Sequence, residues 1–169
     1  MKLFGQKWTV WVRDIAIGGV IIAAVLAWQS RDMLATDGSI AIPPTTLMSL
    51  DGEPTPLFRE GQQTLVYFFA PWCQVCHLSI GNLEYVSSDS IHVVRVALEY
   101  ADEQAVADFA AEHEINSPIL LGDDSLRNMF NVTAFPTYYL VDTDRTILGG
   151  SKGYSTAAGL KLRAYLNAH

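Results

Sequence analysis

The feature that most constrains this chain is a pair of cysteines, Cys73 and Cys76, which are separated by two residues and followed directly by His77. They are the only cysteines among 169 residues. A near-continuous apolar segment, 64–70, precedes them, and apolar residues at helical spacing follow. Two thiols at this spacing can form a redox-active disulfide or, with the histidine, attach a haem covalently. The surrounding pattern has to decide between these two chemistries.

That pattern predicts an α/β fold. Segment 64–70 is typical of a central strand that is covered on both faces. Further strands are predicted at 92–98, 117–121, 137–141 and 146–148, helices at 73–86, 102–114, 124–130 and 155–167, and a hairpin at Asp51-Gly52. Strands that alternate with helices predict a mixed central sheet flanked by helices. Small c-type cytochromes are mostly helical, so this context favours the dithiol over the haem.

The cysteine pair is predicted to lie where a strand passes into a helix, and this position suits redox chemistry. Two intervening residues in the first helical turn hold the sulfurs close enough to bond. The free N–H groups of a helix N-terminus stabilise a thiolate on the leading cysteine. We therefore expect Cys73 to be the exposed nucleophile and Cys76 to resolve the mixed disulfide. His77 is expected to be a helix residue near the site and not a metal or haem ligand.

The N-terminal segment predicts an export signal. Lys2, Lys7 and Arg13 precede an uncharged apolar run, 15–27, and the stretch from Trp8 to Trp28 is 21 residues long. This length fits one membrane-spanning helix, and the positive residues place its N-terminus in the cytoplasm. The alternative is a signal peptide cleaved after the run.

The resulting expected organisation is a transmembrane anchor at 1–28, a linker at 29–41 and one α/β domain at 42–169. In a Gram-negative host the chain would be a single-pass inner-membrane protein with its domain on the periplasmic side, where a disulfide can persist.

The charge distribution excludes one class of partner. The first 31 residues hold four Lys or Arg and one Asp, so the rest of the chain holds seven basic and 17 acidic residues. Nucleic-acid binding is therefore not expected. No motif requires a cofactor, and a monomer is expected because no long heptad pattern is present.

Two segments together resemble a known family. The stretch Phe68-Phe69-Ala70-Pro71-Trp72-Cys73-Gln74-Val75-Cys76 resembles the active-site segment of the thioredoxin superfamily, and Ala134-Phe135-Pro136-Thr137 is similar to its cis-proline loop. Cys76 and Pro136 lie 60 residues apart, a spacing similar to that of the membrane-anchored TlpA/ResA-type members, which insert a strand and a helix between the motifs. The layout looks closest to the suppressor-of-copper-sensitivity protein D group.

The resemblance implies a thiol:disulfide oxidoreductase, and more specifically a reductase supplied by a transmembrane electron donor. It implies that Cys73 and Cys76 are catalytic. It also implies that the substrate is bound by Trp72, by the backbone of Phe135 and by a cis Pro136 facing the disulfide. An alternative function is a copper-binding or copper-delivery module that uses both thiolates, because soft thiolates select Cu(I).

The chain departs from this family at two positions that affect proton transfer. Six residues before the first cysteine, where thioredoxins carry a buried acid, the chain has Tyr67. Three residues after Cys76, where some TlpA/ResA-type reductases carry Glu, it has Ser79. The sequence leaves Glu84, Glu99, Tyr67 or a water molecule as alternatives for this role.

Overall fold

The computed structural model describes residues 11–21, 24, 32–86 and 91–167. The strands are β1 (Thr46–Met48), β2 (Pro54–Pro56), β3 (Gln63–Phe69), β4 (Ile91–Ala97), β5 (Ile119–Leu121), β6 (Thr137–Val141) and β7 (Ile147–Lys152). The α-helices are α1 (Gln74–Ser79), α2 (Glu103–Glu112), α3 (Asp124–Met129) and α4 (Ala157–Asn167). A 3₁₀ helix, Ile80–Tyr85, continues α1. The predicted order of strands and helices is confirmed.

Five strands form one mixed sheet in the order β5-β4-β3-β6-β7. Strands β3, β4 and β5 are parallel, whereas β6 pairs antiparallel with β3 and β7 antiparallel with β6. The predicted hairpin is the separate β1-β2 pair, in which Gly52 supplies a positive φ of 80° at the turn. The Leu50 N–H donates to the Ile119 carbonyl oxygen (2.8 Å) and so joins the hairpin to the sheet edge.

The central strand β3 is buried on both faces, as predicted. Alternate side chains point to opposite sides of a strand, and the two sets enter different apolar clusters. The first set, with Tyr67 and Phe69, packs under α1, α2 and α4. The second, with Val66 and Phe68, packs against α3 and the segment that precedes β1. The start of α1 therefore lies directly over a rigid core.

The predicted helix 73–86 is not a single α-helix. It changes to i→i+3 geometry at Ile80, one residue before Gly81, whose backbone has the greatest conformational freedom in the segment. The helix predicted at 102–114 is α2, and its N-cap is Asp102, whose carboxylate accepts a hydrogen bond from the Ala105 N–H at 2.9 Å.

The compact unit that contains the sheet begins at Met33, ahead of the boundary expected at Ile42. Leu34 and Ile40 pack against the β3 cluster. The Leu34 N–H also donates to the Tyr139 hydroxyl oxygen at 3.1 Å. Residues 33–41 therefore pack against the domain. Their apolar side chains are scattered and follow no helical or strand period, so the sequence pattern does not indicate these contacts.

The last strand, β7, contains an irregularity next to Gly149. The β6-β7 register shifts between Leu140 and Val141, which pair with Gly149 and Ile147, so one residue of β7 bulges out. At Gly150 a Cβ atom would lie 2.5 Å from the Met33 side chain and 3.1 Å from the Tyr139 ring. A larger residue would therefore require the Met33 side chain to move and the Tyr139 ring to shift slightly.

Residues 1–32 form a second compact unit. Within it residues 11–21 are helical, and Arg13 pairs with Asp14 at 3.1 Å. Among the helices described, none has both the length and the apolar character needed to cross a membrane.

Candidate active site

The cysteine pair begins the helix that follows the central strand. Strand β3 ends at Phe69, and the chain turns through Ala70 so that the Cys73 N–H donates to the Ala70 carbonyl oxygen at 3.0 Å. Cys73 is the N-cap of α1, with extended backbone angles, and Cys76 lies in the first turn. The predicted strand-to-helix junction is therefore confirmed.

The two cysteines form a disulfide bond. Cys76 is completely buried, whereas Cys73 keeps 6% of its surface exposed. Cys73 is therefore less exposed than the sequence predicts for the nucleophile. The backbone N–H of Cys76 donates to the Cys73 sulfur at 3.2 Å. That donor would stabilise a thiolate on Cys73 after reduction. The arrangement can therefore exchange a disulfide, with Cys73 as the less buried cysteine.

The residues expected to bind substrate lie together. The Trp72 ring is 60% exposed and meets the Phe135 ring edge to face, with centroids 5.7 Å apart. Its indole N–H donates to the Glu99 carbonyl oxygen at 2.9 Å, which fixes the plane of the ring. The Phe135-Pro136 peptide bond is cis. The structure thus brings Trp72, the neighbour of Cys73, into contact with Phe135, while Pro136, which follows Phe135, is buried.

Tyr67 and Ser79 meet beneath Cys76. Their oxygen atoms lie 3.0 Å apart, and each hydroxyl is 3.4 Å from the Cys76 carbonyl oxygen. All three residues are completely buried. Burial raises the pKa of the Tyr67 phenol well above its usual range. Tyr67 is therefore a neutral hydrogen-bonding group at neutral pH and cannot act as a general base.

The two glutamates considered for proton transfer are bound elsewhere. Glu84 forms an ion pair with Arg95, and Glu99 forms one with Arg127 at 2.7 Å. The guanidinium of Arg95 is buried and also donates to the Ser117 hydroxyl at 2.6 Å. Burial lowers the pKa of Arg95, and the negative charge of Glu84 raises it in part. Of the three side chains left open by the sequence, the structure places Tyr67 beside Cys76.

We expect the Tyr67 hydroxyl to contribute measurably to stability. Tyr67→Phe removes one partner of the buried Ser79 hydroxyl, so the free energy of unfolding should fall by about 1–2 kcal/mol. Urea unfolding of the oxidised protein measures this change. The matched control is Tyr85→Phe, which deletes the same atom from a ring that is 67% exposed and should change stability little. Equal effects of the two substitutions would contradict the prediction.

Sequence reasoning missed a second polar cluster beside the site. The His77 Nε2 atom lies 3.0 Å from the Pro71 carbonyl oxygen, and its Nδ1 atom lies 2.8 Å from His113 Nε2 and 3.5 Å from a Glu112 carboxylate oxygen. Burial lowers the pKa of His113, and the nearby His77 lowers it further. These nitrogen and oxygen atoms are of the kind that bind metal ions. The adjacent Glu112-His113 pair at the end of a predicted helix was the one available signal.

The chain is similar to known thiol-disulfide oxidoreductases. No family model matches it. It is 26% identical over 150 residues to sporulation thiol-disulfide oxidoreductase A of Bacillus subtilis, which covers 84% of this chain and 91% of that protein. The crystal structure of StoA from Bacillus subtilis superposes with a TM-score of 0.65 at 26% identity, covering 74% of this chain and 99% of that one.

The fold is also that of a putative thiol:disulfide interchange protein DsbE from Chlorobium tepidum, with a TM-score of 0.69 at 20% identity over 80% of this chain and 100% of that one. A closed cysteine pair at the head of a helix, in a chain with such relatives, identifies the class: this protein is a thiol-disulfide oxidoreductase.

The family follows from another relative, the thioredoxin-like protein YneN of Bacillus subtilis. Identity is 30% over 143 residues, which are 81% of this chain and 84% of that protein. The chain belongs to the thioredoxin-like family. The dithiol interpretation of the CxxCH motif is thereby confirmed, whereas the narrower resemblance to the suppressor-of-copper-sensitivity protein D group stays a prediction.

Proposed function

We propose that this protein is a membrane-tethered reductase of protein disulfides on the exported side of the inner membrane. The observation that carries the proposal is the asymmetry of the pair: Cys73 keeps some exposed surface and its sulfur accepts a backbone hydrogen bond, whereas Cys76 is completely buried. An incoming disulfide can therefore be attacked by Cys73, while Cys76 is reserved for the second step.

The reaction balances as two successive exchanges. In the reduced protein the Cys73 thiolate attacks one sulfur of a substrate disulfide, forms a mixed disulfide and releases the first substrate thiolate. Cys76 then loses its proton and attacks the Cys73 sulfur, which releases the second substrate thiolate and closes the Cys73–Cys76 disulfide. Two electrons pass to the substrate, and a transmembrane electron-donor protein would return two electrons to the pair.

The surface around Cys73 supports a protein as the substrate. Trp72, Val75 and Leu78 are large apolar side chains that remain exposed near the head of α1. Exposed apolar groups in one region are typical of a docking surface for another protein. The backbone of Phe135, beside Trp72, would pair with an extended substrate segment. Roles of Trp72, Phe135 and Pro136 in substrate binding are part of the proposal.

The tether rests on the N-terminal sequence. The uncharged run 15–27 with basic residues before it favours insertion, and Trp11, Ile15 and Val20 of helical residues 11–21 are exposed apolar side chains. We propose that segment 1–28 anchors the protein in the inner membrane with the α/β domain on the periplasmic side. A monomer suffices for the exchange, since both sulfurs belong to one chain.

One experiment on intact spheroplasts tests side and direction together. The full chain is equilibrated in graded glutathione buffers, its thiols are trapped with a membrane-impermeant maleimide, and the membrane fraction is analysed by intact mass. We expect one couple in which two thiols are labelled from outside, with a midpoint near or below about −200 mV.

Three outcomes of the same experiment would each contradict a different part of the proposal. A midpoint near about −120 mV would make the protein an oxidant and overturn the proposed direction. Labelling that requires lysis would overturn the exported location while leaving the direction intact. Glutathione-independent labelling would show that the pair does not cycle.

A further inference from the structure

The cluster of His77, Glu112 and His113 lies outside the chemistry of the cysteines. One nitrogen from each histidine and one glutamate oxygen all lie within 4.8 Å of one another. A divalent metal with bonds of about 2.0–2.2 Å holds tetrahedral ligand atoms about 3.4 Å apart. The His77 Nδ1 to Glu112 oxygen distance is already 3.5 Å, and the two histidine nitrogens at 2.8 Å need only a small separation.

The second nitrogen of His77 sets the orientation that ligation requires. Its Nε2 atom lies 3.0 Å from the Pro71 carbonyl oxygen, which can only accept a hydrogen bond. In the neutral imidazole Nε2 therefore carries the proton and Nδ1 presents its lone pair to the cluster. A hydrogen bond from the non-ligating nitrogen to a backbone carbonyl is the usual support of a metal-binding histidine.

Two further features of the surroundings favour a cation here. The buried Phe109 ring packs against both imidazoles, with centroids 4.7 Å from each, and so restrains the two rings. His113 is the C-cap of the ten-residue helix α2, where the last carbonyl groups create a negative potential. The three ligand groups thus lie on a rigid base at the favourable end of a helix dipole.

We propose that His77, Glu112 and His113 form a binding site for a divalent first-row transition-metal ion of the kind that takes imidazole nitrogen, Zn²⁺ or Cu²⁺. On binding, the metal replaces the proton that His113 Nε2 donates to His77 Nδ1, and that proton passes to His113 Nδ1 or to solvent. Neither cysteine is a ligand, so this site is distinct from a copper site built on the thiolates, and it does not depend on the proposed reductase function. It differs from the sequence prediction that His77 is not a ligand.

Three protein ligands leave a fourth position open. His77 and Glu112 also line a groove of about 360 Å³, and Trp72 and Asp108 line the same groove. A water molecule, or an electron-pair donor on a molecule held in that groove, can complete a tetrahedral site. The metal would therefore lie beside the surface proposed to receive the substrate.

The test uses the oxidised full-length chain, because the closed disulfide removes both thiolates as competing ligands. Zn²⁺ is titrated by calorimetry, and bound metal is counted after gel filtration. We expect one ion per chain. Affinity should fall at least about tenfold in Glu112→Gln and in His113→Ala, because loss of a ligand costs at least as much as loss of a supporting hydrogen bond.

Controls separate ligation from folding. Glu112 is largely exposed, so Glu112→Gln should leave thermal unfolding of the metal-free protein unchanged. His92→Ala removes a histidine from strand β4, outside the cluster, and should bind Zn²⁺ like the unmodified chain. His113→Gln is the substitute if His113→Ala does not fold.

A Cu²⁺ titration with electron paramagnetic resonance identifies which ion the site prefers. A spectrum typical of Cu²⁺ bound by two nitrogen atoms and one oxygen atom, which is lost in His113→Ala, supports the proposed site. This holds even where the chain binds Zn²⁺ more weakly than Cu²⁺. The proposal is overturned if the oxidised chain takes up neither ion. It is equally overturned if uptake appears only after the disulfide is reduced, or if Glu112→Gln and His113→Ala bind like the control.

Discussion

Cys73→Ser should abolish disulfide exchange. Cys73 is the one residue of the pair with any exposed surface, and its sulfur also accepts the Cys76 N–H. Without it the completely buried Cys76 has no path to an incoming disulfide. Because the attacking group itself is lost, turnover should fall at least about a thousandfold. Reduction of insulin by the full chain, with dithiothreitol as electron source, measures the loss.

The partner substitution gives a different and equally diagnostic result. Cys76→Ser keeps the nucleophile but removes the group that resolves the mixed disulfide, so the first exchange should proceed and then stop. Intact mass after incubation with a disulfide-linked peptide should show one peptide covalently attached to the chain. The same adduct on Cys73→Ser, and none on Cys76→Ser, would reverse the assigned roles.

The sequence predicts this site well because the determinants are local. Strand β3 and the start of α1 follow from an uninterrupted apolar segment and a cysteine at the first helical turn, and both lie where expected. The disulfide joins two cysteines that are only three positions apart in the sequence. Features set by neighbouring residues in the chain are therefore accessible without a structure.

What the sequence could not predict depends on long-range packing. Arg95 lies in the apolar strand β4, and Glu84 lies in the 3₁₀ helix. Only the fold shows that these two side chains form an ion pair. His77 and His113 are 36 residues apart, so no local pattern joins them. The contact of Leu34 is long-range in the same way, since its partner, Tyr139, lies on a strand 105 residues later.

The hydroxyl groups of Tyr67 and Ser79 illustrate a third case, in which the residue types are visible but their effect is not. Each stands at a position where the resemblance predicts an acidic residue. The sequence therefore did not identify the group that accepts the Cys76 proton. In the structure they bind each other and the Cys76 carbonyl oxygen, and both lie in the core. Cys76 therefore faces neutral groups that stabilise its backbone and do not take its proton.

This environment predicts that the two thiols ionise over different ranges of pH. Only a thiolate is alkylated, so the alkylation rate rises with pH and levels off once the thiol is ionised. The helix N–H stabilises the charged form of Cys73, whereas complete burial disfavours the charged form of Cys76. Cys73 should level off at lower pH, while the rate at Cys76 keeps rising about tenfold per pH unit through neutral pH.

Two variants allow each thiol to be measured by itself. The shape of each curve of alkylation rate against pH distinguishes the ionisation of the thiol from its accessibility to the reagent. Iodoacetamide labelling of Cys76→Ser reports Cys73, and labelling of Cys73→Ser reports Cys76, both read by intact mass. Poor access to the buried sulfur lowers the rate equally at every pH, whereas ionisation moves the pH at which the rate levels off. At neutral pH the thiolate fractions should differ by at least about tenfold. Coincident midpoints, or a Cys76 curve that levels off first, would contradict the prediction that burial among neutral groups disfavours the Cys76 thiolate.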